Sequence, residues 1–393
     1  MTDVALINGQ IVLPDQVVNG QALVVRAGKI AEIVPVDALA GGLEIVDADG
    51  GLITPGLIDI HIHGALGHTF NEPTEQAFAV ILRENARRGI TAVLATTATD
   101  AIANLAASLA CAKRWMAAQK SGLHGGCAQL LGAHVEGPYF ALAQAGAQDP
   151  AHLRHPDDGT AEELLEFAEC IKIMTYAPEL PGAVALTRRL VELGIVAAAG
   201  HSAAREEEVA PAIAAGLSHM IHLWSAQSTI VREGPWRKLG LLEVSLAYDD
   251  LTAEIICDNR HLPPTLMKLA YKCIGPDRLC AISDATSGAG LPEGARFRMG
   301  GMEYEVHDGV GMLFDRTAFA GSTTLLSQML PILIHEVGIP IPHAVRMASL
   351  TPARVIGVAE RKGSLEVGKD ADLVIFDADF NARRVMIGGE WIS

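Results

Sequence analysis

Two histidines near the start of the chain are spaced for shared chemistry. Residues 56–69 read GLIDIHIHGALGHT, an apolar strand-like run that ends in His61 and His63. Side chains two positions apart on a β-strand lie on the same face, so these imidazoles would point together. Neutral imidazole is the commonest metal ligand in proteins. A single His-x-His pair also occurs on surfaces and in cores, so further ligands must come from elsewhere in the chain.

Other histidines and carboxylates follow strand-like runs further along the chain. They are Glu136, His201, His222, Asp258, His261 and Asp284. Imidazole and carboxylate donors suit borderline or hard divalent metals, and the absence of cysteine among them argues against a structural thiolate zinc site. If these run ends meet at one edge of a sheet, the sequence predicts a metal centre toward which His61 and His63 face.

The elements that would position these residues alternate between strands and helices. The eight predicted strands are LIDIHIH, ITAVLATT, AQLLGAHVE, IKIMTYAPE, IVAAAGH, SHMIHLW, TAEIICDN and RLCAISDA. Several intervening helical segments end in glycine, a common C-cap. Eight such units in about 300 residues predict a (β/α)8, or TIM, barrel, whose chemistry collects at the carboxyl ends of its strands. An open doubly wound sheet is the alternative. No Gly-x-Gly-x-x-Gly follows the first strand, so a dinucleotide-binding fold gains no support.

The composition restricts the classes of partner. The 393 residues include 30 basic and 46 acidic side chains, for a net charge of −16, which argues against nucleic acid or an anionic membrane. The six cysteines form no C-x-x-C pair, which argues against disulfides and fits a reducing cytoplasm. The first residues lack the features of a signal peptide, and no apolar stretch approaches about 18 residues. We therefore expect a soluble cytoplasmic protein.

The sequence resembles the amidohydrolase superfamily, and more closely its N-acetylglucosamine-6-phosphate deacetylases. The resemblance covers nearly the whole chain, through the segments HVEGPYF, YAPE, AAGHSAA, SDATSGAG, FAGSTTLL and MASLTPARVIGVAERKGSLEVGKDADLVIF. It implies an α/β fold with a (β/α)8 barrel and a small β-sandwich built from both chain ends, in agreement with the β-rich termini. The implied division assigns 1–54 and 357–393 to the sandwich and 55–356 to the barrel.

The resemblance also implies a divalent metal site. Most binuclear relatives bridge their ions with a carboxylated lysine at the end of strand four, where this chain has no lysine. The deacetylases use a glutamate that ends strand three, which matches Glu136, and His201 and His222 complete the principal site. His61 and His63 match a pair that binds a second ion in some members. One or two ions per chain are implied, with Zn²⁺ first and Fe²⁺, Mn²⁺ or Co²⁺ as alternatives.

The same resemblance implies roles in catalysis and substrate binding. Asp284 would act as general base and then general acid, and His261 would donate a hydrogen bond to the substrate carbonyl oxygen. The backbone N–H groups of Ser225 and Ala226 would bind the phosphate with Arg232. In relatives this arginine reaches across a dimer interface, so a homodimer is implied. Further predicted substrate contacts are Ala147, Gln148, Asp258, Asn259, Arg260, Phe319, Ala320 and Gly321, of which Asn259 and Arg260 are particular to this chain.

Several residues depart from the pattern of the deacetylases. The segment CDNRHL has Asn259 and Arg260 where Asp-Gly-x-His is common. Many members have Asn in place of Ser225, and members have His or Gln at the position of Gln148. Asparagine can adopt the left-handed backbone that glycine would supply. Arg260 adds a positive charge that would either bind an anionic group of the substrate or point to solvent. These departures do not argue against deacetylation, but they weaken the prediction of which amino sugar is the substrate.

The predicted function is therefore metal-dependent removal of acetyl from an N-acetylated amino-sugar 6-phosphate, with N-acetylglucosamine-6-phosphate as the first substrate. N-acetylgalactosamine-6-phosphate or another N-acyl amino sugar is the alternative. A cyclic-amide hydrolase of the dihydroorotase type is disfavoured by the absent strand-four lysine and by Glu136. A metal-binding barrel without catalysis is disfavoured by Asp284, because a purely structural site has no use for an unligated acid.

Overall fold

Eight parallel strands surround the centre of the molecule in the computed structural model, which describes residues 3–392. They are β1 (Leu57–Ile62), β2 (Ile90–Thr97), β3 (Gln129–Glu136), β4 (Ile171–Tyr176), β5 (Val196–Ala199), β6 (His219–Met220), β7 (Thr252–Ile256) and β8 (Leu279–Ile282). Each strand pairs with the next in chain order. The sheet closes where Asp284 N donates to His61 O (2.9 Å) and His63 N donates to Ala285 O (2.8 Å). The predicted (β/α)8 barrel is confirmed, and the open-sheet alternative is wrong.

The barrel strands are apolar and buried along almost their whole length. Every residue of β1 and β2 is buried, as expected for parallel strands that face helices on one side and the barrel interior on the other. A few polar side chains interrupt this pattern inside the barrel and are fully buried: Asp59, His61, His134, His219 and Glu254. Burial of polar groups is costly unless they are paired, so these positions need a specific explanation.

Helices pack between and outside the strands. They are α1 (Glu75–Arg87), α2 (Ile102–Lys120), α3 (Thr160–Leu165), α4 (Ala183–Glu192), α5 (Glu206–Ala215), α6 (Leu241–Ala247), α7 (Pro264–Ile274), α8 (Leu326–Pro331), α9 (Ile341–Met347) and α10 (Leu350–Val355). The predicted glycine caps are present at Gly216 after α5 and Gly275 after α7, with φ of 114° and 79°. No helix among residues 3–392 is long and apolar enough to cross a membrane.

Both chain ends contribute to a β-sandwich beside the barrel. One sheet contains, in spatial order, Lys29–Pro35, Gln21–Arg26, Val4–Ile7 and Glu44–Asp47. The other contains Glu390–Trp391, Ala382–Ile387, Leu373–Phe376, Leu52–Pro55, Gln10–Val12 and Val17–Val18. A separate apolar core that includes Leu6, Leu23 and Ile53 lies between them. The predicted sandwich from both termini is confirmed, whereas the boundaries at 54/55 and 356/357 stay predictions.

A four-stranded antiparallel sheet follows β8 and was not predicted. We call residues 296–322, which contain it, the insert sheet; its strands are Arg296–Met299, Met302–His307, Val310–Met312 and Phe319–Ser322. It has its own small core around Phe297 and Tyr304. Its last strand returns to the barrel, where Ser322 N donates to Asp284 O at 2.8 Å. The Asp308–Gly309 pair, with φ of 51° and 76°, is typical of a tight hairpin turn and was a readable signal.

A buried ion pair stabilises the C-terminal part of the sandwich. Lys362 Nζ donates to Asp372 Oδ2 at 2.5 Å, and their side chains are 4% and 6% exposed. Loss of one partner from a buried pair leaves an uncompensated charge and typically costs several kcal/mol. Asp370 lies 3.2 Å from the same amine and would compensate in part.

We therefore expect Asp372→Ala to lower the free energy of unfolding by about 3 kcal/mol, measured by urea denaturation at pH 7. Asp379→Ala, at an exposed position of the same segment, is the control and should change stability by less than about 0.5 kcal/mol. A loss below about 1 kcal/mol for Asp372→Ala would contradict the proposed role of the pair.

Candidate metal centre and active site

Side chains from several strand ends converge on one buried carboxylate, Glu136, at the end of β3. Its Oε1 lies 3.0 Å from His222 Nε2, 3.1 Å from His201 Nε2 and 3.5 Å from His61 Nε2. Its Oε2 lies 3.3 Å from His63 Nε2. All five side chains are buried. The structure thus brings together every residue that the sequence predicted as a metal ligand.

The backbone at this rim is unusual where the strands end. His201, His222 and Asp284 follow β5, β6 and β8, and their φ angles are 45°, 24° and 48°. Side-chain-bearing residues in this region cost about 1–3 kcal/mol each and are found mainly at functional sites. The fold therefore tolerates local strain in order to turn these three side chains toward Glu136.

The convergent atoms fit a divalent cation. Among residues 3–392, buried His61 Nε2 has no hydrogen-bond partner, although buried polar atoms are normally paired. Three sets of ligand atoms among residues 3–392 lie within 4.8 Å of one another. Two contain the predicted ligands, one from His61, His63 and Glu136 and one from Glu136, His201 and His222, and the third joins His61 to His134 and Glu254. A tetrahedral ion with bonds of about 2.0–2.2 Å separates its ligands by about 3.3 Å, close to the distances observed here. Nitrogen and oxygen donors without thiolate suit Zn²⁺, Fe²⁺, Mn²⁺ or Co²⁺.

Asp284 lies at the edge of this cluster and is ionised. Its Oδ1 is 3.2 Å from His63 Nε2 and 3.6 Å from His61 Nε2. Burial raises the pKa of this carboxyl, but the hydrogen bond from His63 and the positive charge on His61 outweigh burial and hold the pKa below its usual range. Burial likewise opposes ionisation of Glu136, and the charge on His61 with hydrogen bonds from the other imidazoles lowers its pKa well below normal. Both groups can therefore accept a proton or bind a cation.

His261 is oriented by a neighbouring carboxylate. Its Nδ1 donates to Asp258 Oδ2 at 2.8 Å. Asp258 Oδ1 also accepts the backbone N–H groups of Arg260 and His261, each at 2.9 Å. The ring packs edge-on against Phe319, with centroids 5.0 Å apart. Asp258 therefore fixes which nitrogen carries the proton and leaves Nε2 of His261 for a ligand.

A cavity of about 290 Å³ opens above Glu136 and Asp284. The predicted substrate contacts that line it are Ala147, Gln148, Ser225, Ala226, His261, Phe319 and Gly321. Residues that line it but were not predicted include Trp224 and Met299, the latter from the insert sheet. The Ser225 N–H already donates to His222 O at 3.0 Å, so a phosphate would compete for it.

Gln148 contacts a candidate metal ligand. Its Nε2 donates to Glu136 Oε2 at 2.6 Å, and its Oε1 accepts the backbone N–H of Thr99 at 2.7 Å. Both ends of the amide are thus occupied by protein groups. We infer that Gln148 orients Glu136 in addition to lining the cavity.

Five predicted substrate contacts do not line the cavity; they are Asp258, Asn259, Arg260, Arg232 and Ala320. Arg260 Nε donates to Asp308 O in the insert sheet at 2.8 Å, so its guanidinium is held outside the cavity. Arg232 Nε donates to Gly234 O at 2.8 Å within the hairpin of Val231–Glu233 and Trp236–Lys238. Asn259 has the predicted left-handed backbone, with φ of 57°. Its amide donates to Glu336, and Ala320 is buried in the core of the insert sheet.

Arg260→Ala is expected to change kcat/KM by less than about fivefold on phosphorylated and unphosphorylated substrates alike. The ion pair with Asp308 is exposed, at 43% and 74% for the two side chains, and exposed pairs contribute about 0–1 kcal/mol. Steady-state kinetics on both substrates measures the effect, and Asp308→Ala is the matched control. A ten- to hundredfold loss confined to the phosphorylated substrate would show instead that Arg260 leaves Asp308 and binds phosphate.

A layer of buried polar side chains lies below the candidate ligands and was not predicted. His61 Nδ1 donates to Glu254 Oε2 at 2.8 Å, and His219 Nε2 donates to Glu254 Oε1 at 3.0 Å. His219 Nδ1 lies 2.7 Å from Thr252 Oγ1. His134 lies beside His61, with ring centroids 4.6 Å apart. One feature of the sequence could have predicted this layer: Glu254 is a charged residue in the middle of the apolar barrel strand TAEIICDN.

Comparison with known proteins agrees with this geometry. Residues 52–392 match the Amidohydrolase family. The chain belongs to the amidohydrolase family. This amidohydrolase is 34% identical over 337 residues to N-acetylglucosamine-6-phosphate deacetylase of Bacillus subtilis (strain 168), which covers 86% of this chain and 83% of the relative. It is 30% identical over 370 residues to N-acetylgalactosamine-6-phosphate deacetylase of Escherichia coli O157:H7, or 93% of each chain.

The fold of the whole chain is also similar to that of a solved deacetylase structure. N-acetylglucosamine-6-phosphate deacetylase from Pasteurella multocida superimposes with a TM-score of 0.92 at 30% identity over 99% of each chain. The predicted resemblance of this amidohydrolase to the deacetylases is confirmed.

Proposed function

We propose that this amidohydrolase removes acetyl from N-acetylated amino-sugar 6-phosphates, with N-acetylglucosamine-6-phosphate as the first substrate. The observation that carries the proposal is the ionised Asp284, 3.2 Å from His63 Nε2, at the edge of the imidazole and Glu136 cluster. The cavity above it, of about 290 Å³, is at the small end of ligand sites and suits a single sugar. The relatives named above support the substrate class.

Hydrolysis of an amide needs an activated water, a polarised carbonyl and a proton for the departing amine. Glu136, His201 and His222 would hold a divalent ion, which would supply Lewis acidity and lower the pKa of a bound water. Asp284 accepts the proton of the attacking water and then delivers it to the amine nitrogen, as a general base and acid.

In this mechanism His261 stabilises the negative charge that develops on the carbonyl oxygen of the substrate. Its Nδ1 proton is committed to Asp258 at 2.8 Å, so donation to the substrate requires a second proton at Nε2. A fixed donor aimed at developing negative charge is one of the larger contributions to acyl-transfer catalysis.

The identity of the metal, the oligomeric state and the cellular location are part of the same proposal. Zn²⁺ is proposed as the first metal, with a second ion at His61, His63 and Glu136. A homodimer is proposed in which Arg232 approaches the partner's cavity; the exposed hairpin that carries it, with Trp236 73% exposed, supports this arrangement. A cytoplasmic location is proposed because all six cysteines are free thiols.

The experiment that tests the function is acetate release from a panel of N-acyl amino sugars, each with and without 6-phosphate. N-acetylglucosamine-6-phosphate should give the highest kcat/KM. N-acetylgalactosamine-6-phosphate is the second candidate because of the Escherichia coli relative. Release from cyclic amides only, or from none of the panel, would overturn the proposal.

A further inference from the structure

Glu254, in the middle of β7, is a buried carboxylate whose side-chain hydrogen-bond partners among residues 3–392 are two imidazoles. The side chain is completely buried, and both of its oxygens accept hydrogen bonds from imidazoles. His61 Nδ1 lies 2.8 Å from Oε2, and His219 Nε2 lies 3.0 Å from Oε1. A carboxylate in a barrel interior costs several kcal/mol unless its partners compensate, so its presence needs a reason beyond packing.

The hydrogen bond to Glu254 determines which nitrogen of His61 can bind a cation. An ionised carboxylate only accepts hydrogen bonds, so Nδ1 of His61 carries the proton. The ring then directs Nε2 at the cluster, 3.5 Å from Glu136 Oε1 and 3.6 Å from Asp284 Oδ1. Nε2 is also one of the buried side-chain atoms that lack a hydrogen-bond partner among residues 3–392.

The other candidate ligands are oriented by different groups. His201 Nδ1 donates to the backbone oxygen of Gln144 at 2.9 Å. His222 meets Glu254 only through a long backbone contact, N to Oε2 at 3.4 Å. The Nδ1 atoms of His63 and His222 have no partner in the part of the chain that the structure describes. Among the four candidate imidazole ligands, and within residues 3–392, His61 is thus the one whose Nδ1 meets a buried carboxylate.

We propose that Glu254, held in turn by His219, is a positioning residue that fixes His61 and sets the cation affinity of the position formed by His61, His63 and Glu136. The position formed by Glu136, His201 and His222 does not depend on it. The inference rests on the proposed function only in requiring that divalent ions occupy the cluster. Carboxylates that orient a ligating histidine typically contribute 10- to 100-fold in metal affinity.

The test is a zinc titration of the metal-free full chain against a chromophoric chelator, which needs no substrate. Wild-type protein should show two classes of site, and His61→Ala assigns the class that contains His61. Glu254→Gln keeps the size and a hydrogen-bond acceptor but removes the charge. It should weaken the His61 class about 10- to 100-fold and leave the other class within about twofold. Glu179→Gln is the matched control, a mostly buried carboxyl that accepts from Ser202 and Ala203, and it should change neither class.

Three outcomes would overturn the proposal: a single class of site in wild-type protein, unchanged affinity in Glu254→Gln, or equal weakening of both classes. If Glu254→Gln does not fold, ¹⁵N-histidine spectra of the zinc-loaded wild type provide a second test. His61, assigned by comparison with His61→Ala, should carry its proton on Nδ1, and the opposite tautomer would overturn the proposal. Two zinc classes without acetate release would overturn the proposed function alone, and absence of any zinc binding would overturn both.

Discussion

His222→Ala and His201→Ala are each expected to remove the tightly bound ion and nearly all amide hydrolysis. Both imidazoles lie about 3 Å from Glu136 Oε1, and each supplies one of only three ligand atoms in that set. A metal contributes several kcal/mol of transition-state stabilisation, so the rate should fall roughly 10³-fold or more. Metal content by mass spectrometry and acetate release would be measured on the same samples. His68→Ala, which loses an imidazole paired with Glu72 outside the cluster, is the control.

Replacement of His61 and His63 should affect metal content and activity less than replacement of His201 or His222. Replacement of both His61 and His63 is expected to lower the metal content toward one ion per chain without abolishing turnover. Loss of all metal in that double variant would show that the two positions, which share Glu136, are interdependent. Full activity after removal of metal with a chelator would contradict the metal-dependent mechanism itself.

Asp284→Asn is expected to lower kcat by about 10²–10⁴-fold while substrate still binds. The amide keeps the shape and a hydrogen-bond acceptor but cannot take a proton from water and return it to the amine. KM and metal content should change little, because Asp284 belongs to neither set of three ligand atoms. Stopped-assay kinetics with metal analysis separates these effects. Asp249→Asn, at a side chain that is 95% exposed, provides the control. A kcat within tenfold of wild type would mean that another group moves the proton.

The sequence was sufficient to predict that the candidate ligands converge, because the topology of the barrel brings the strand ends together. The choice of the metal ligands among them came from the resemblance to the deacetylases and stays a prediction. Once eight strands are recognised, their carboxyl ends must meet at one rim, and His61, Glu136, His201 and His222 are all at or near strand ends. The pairing of His61 with His63 required only the two-residue period of a strand. No knowledge of distances was needed for either prediction.

The sequence failed where a side chain's role depends on a partner from a distant element. Arg260 was weighed as a substrate contact, but its guanidinium lies against Asp308, in a sheet that was not predicted. Glu254 and His219 were missed because their pairing joins strands that come together only in the folded barrel. A polar residue inside an apolar strand is visible in the sequence, but the atom that satisfies it is not.

The sandwich has a consequence for synthesis of the chain on the ribosome. Leu52–Pro55 pairs with Leu373–Phe376, more than 300 residues later. At about 5–20 residues per second, that partner emerges on the order of 20–60 s after the strand it must pair with. During this interval the strand that contains Ile53 lacks the C-terminal strands of its own sheet, although the strands of the opposing sheet, from residues 4–47, have already been synthesised. The barrel must therefore begin to fold beside an unfinished sandwich, and the nascent chain needs protection from aggregation until its last strands are released.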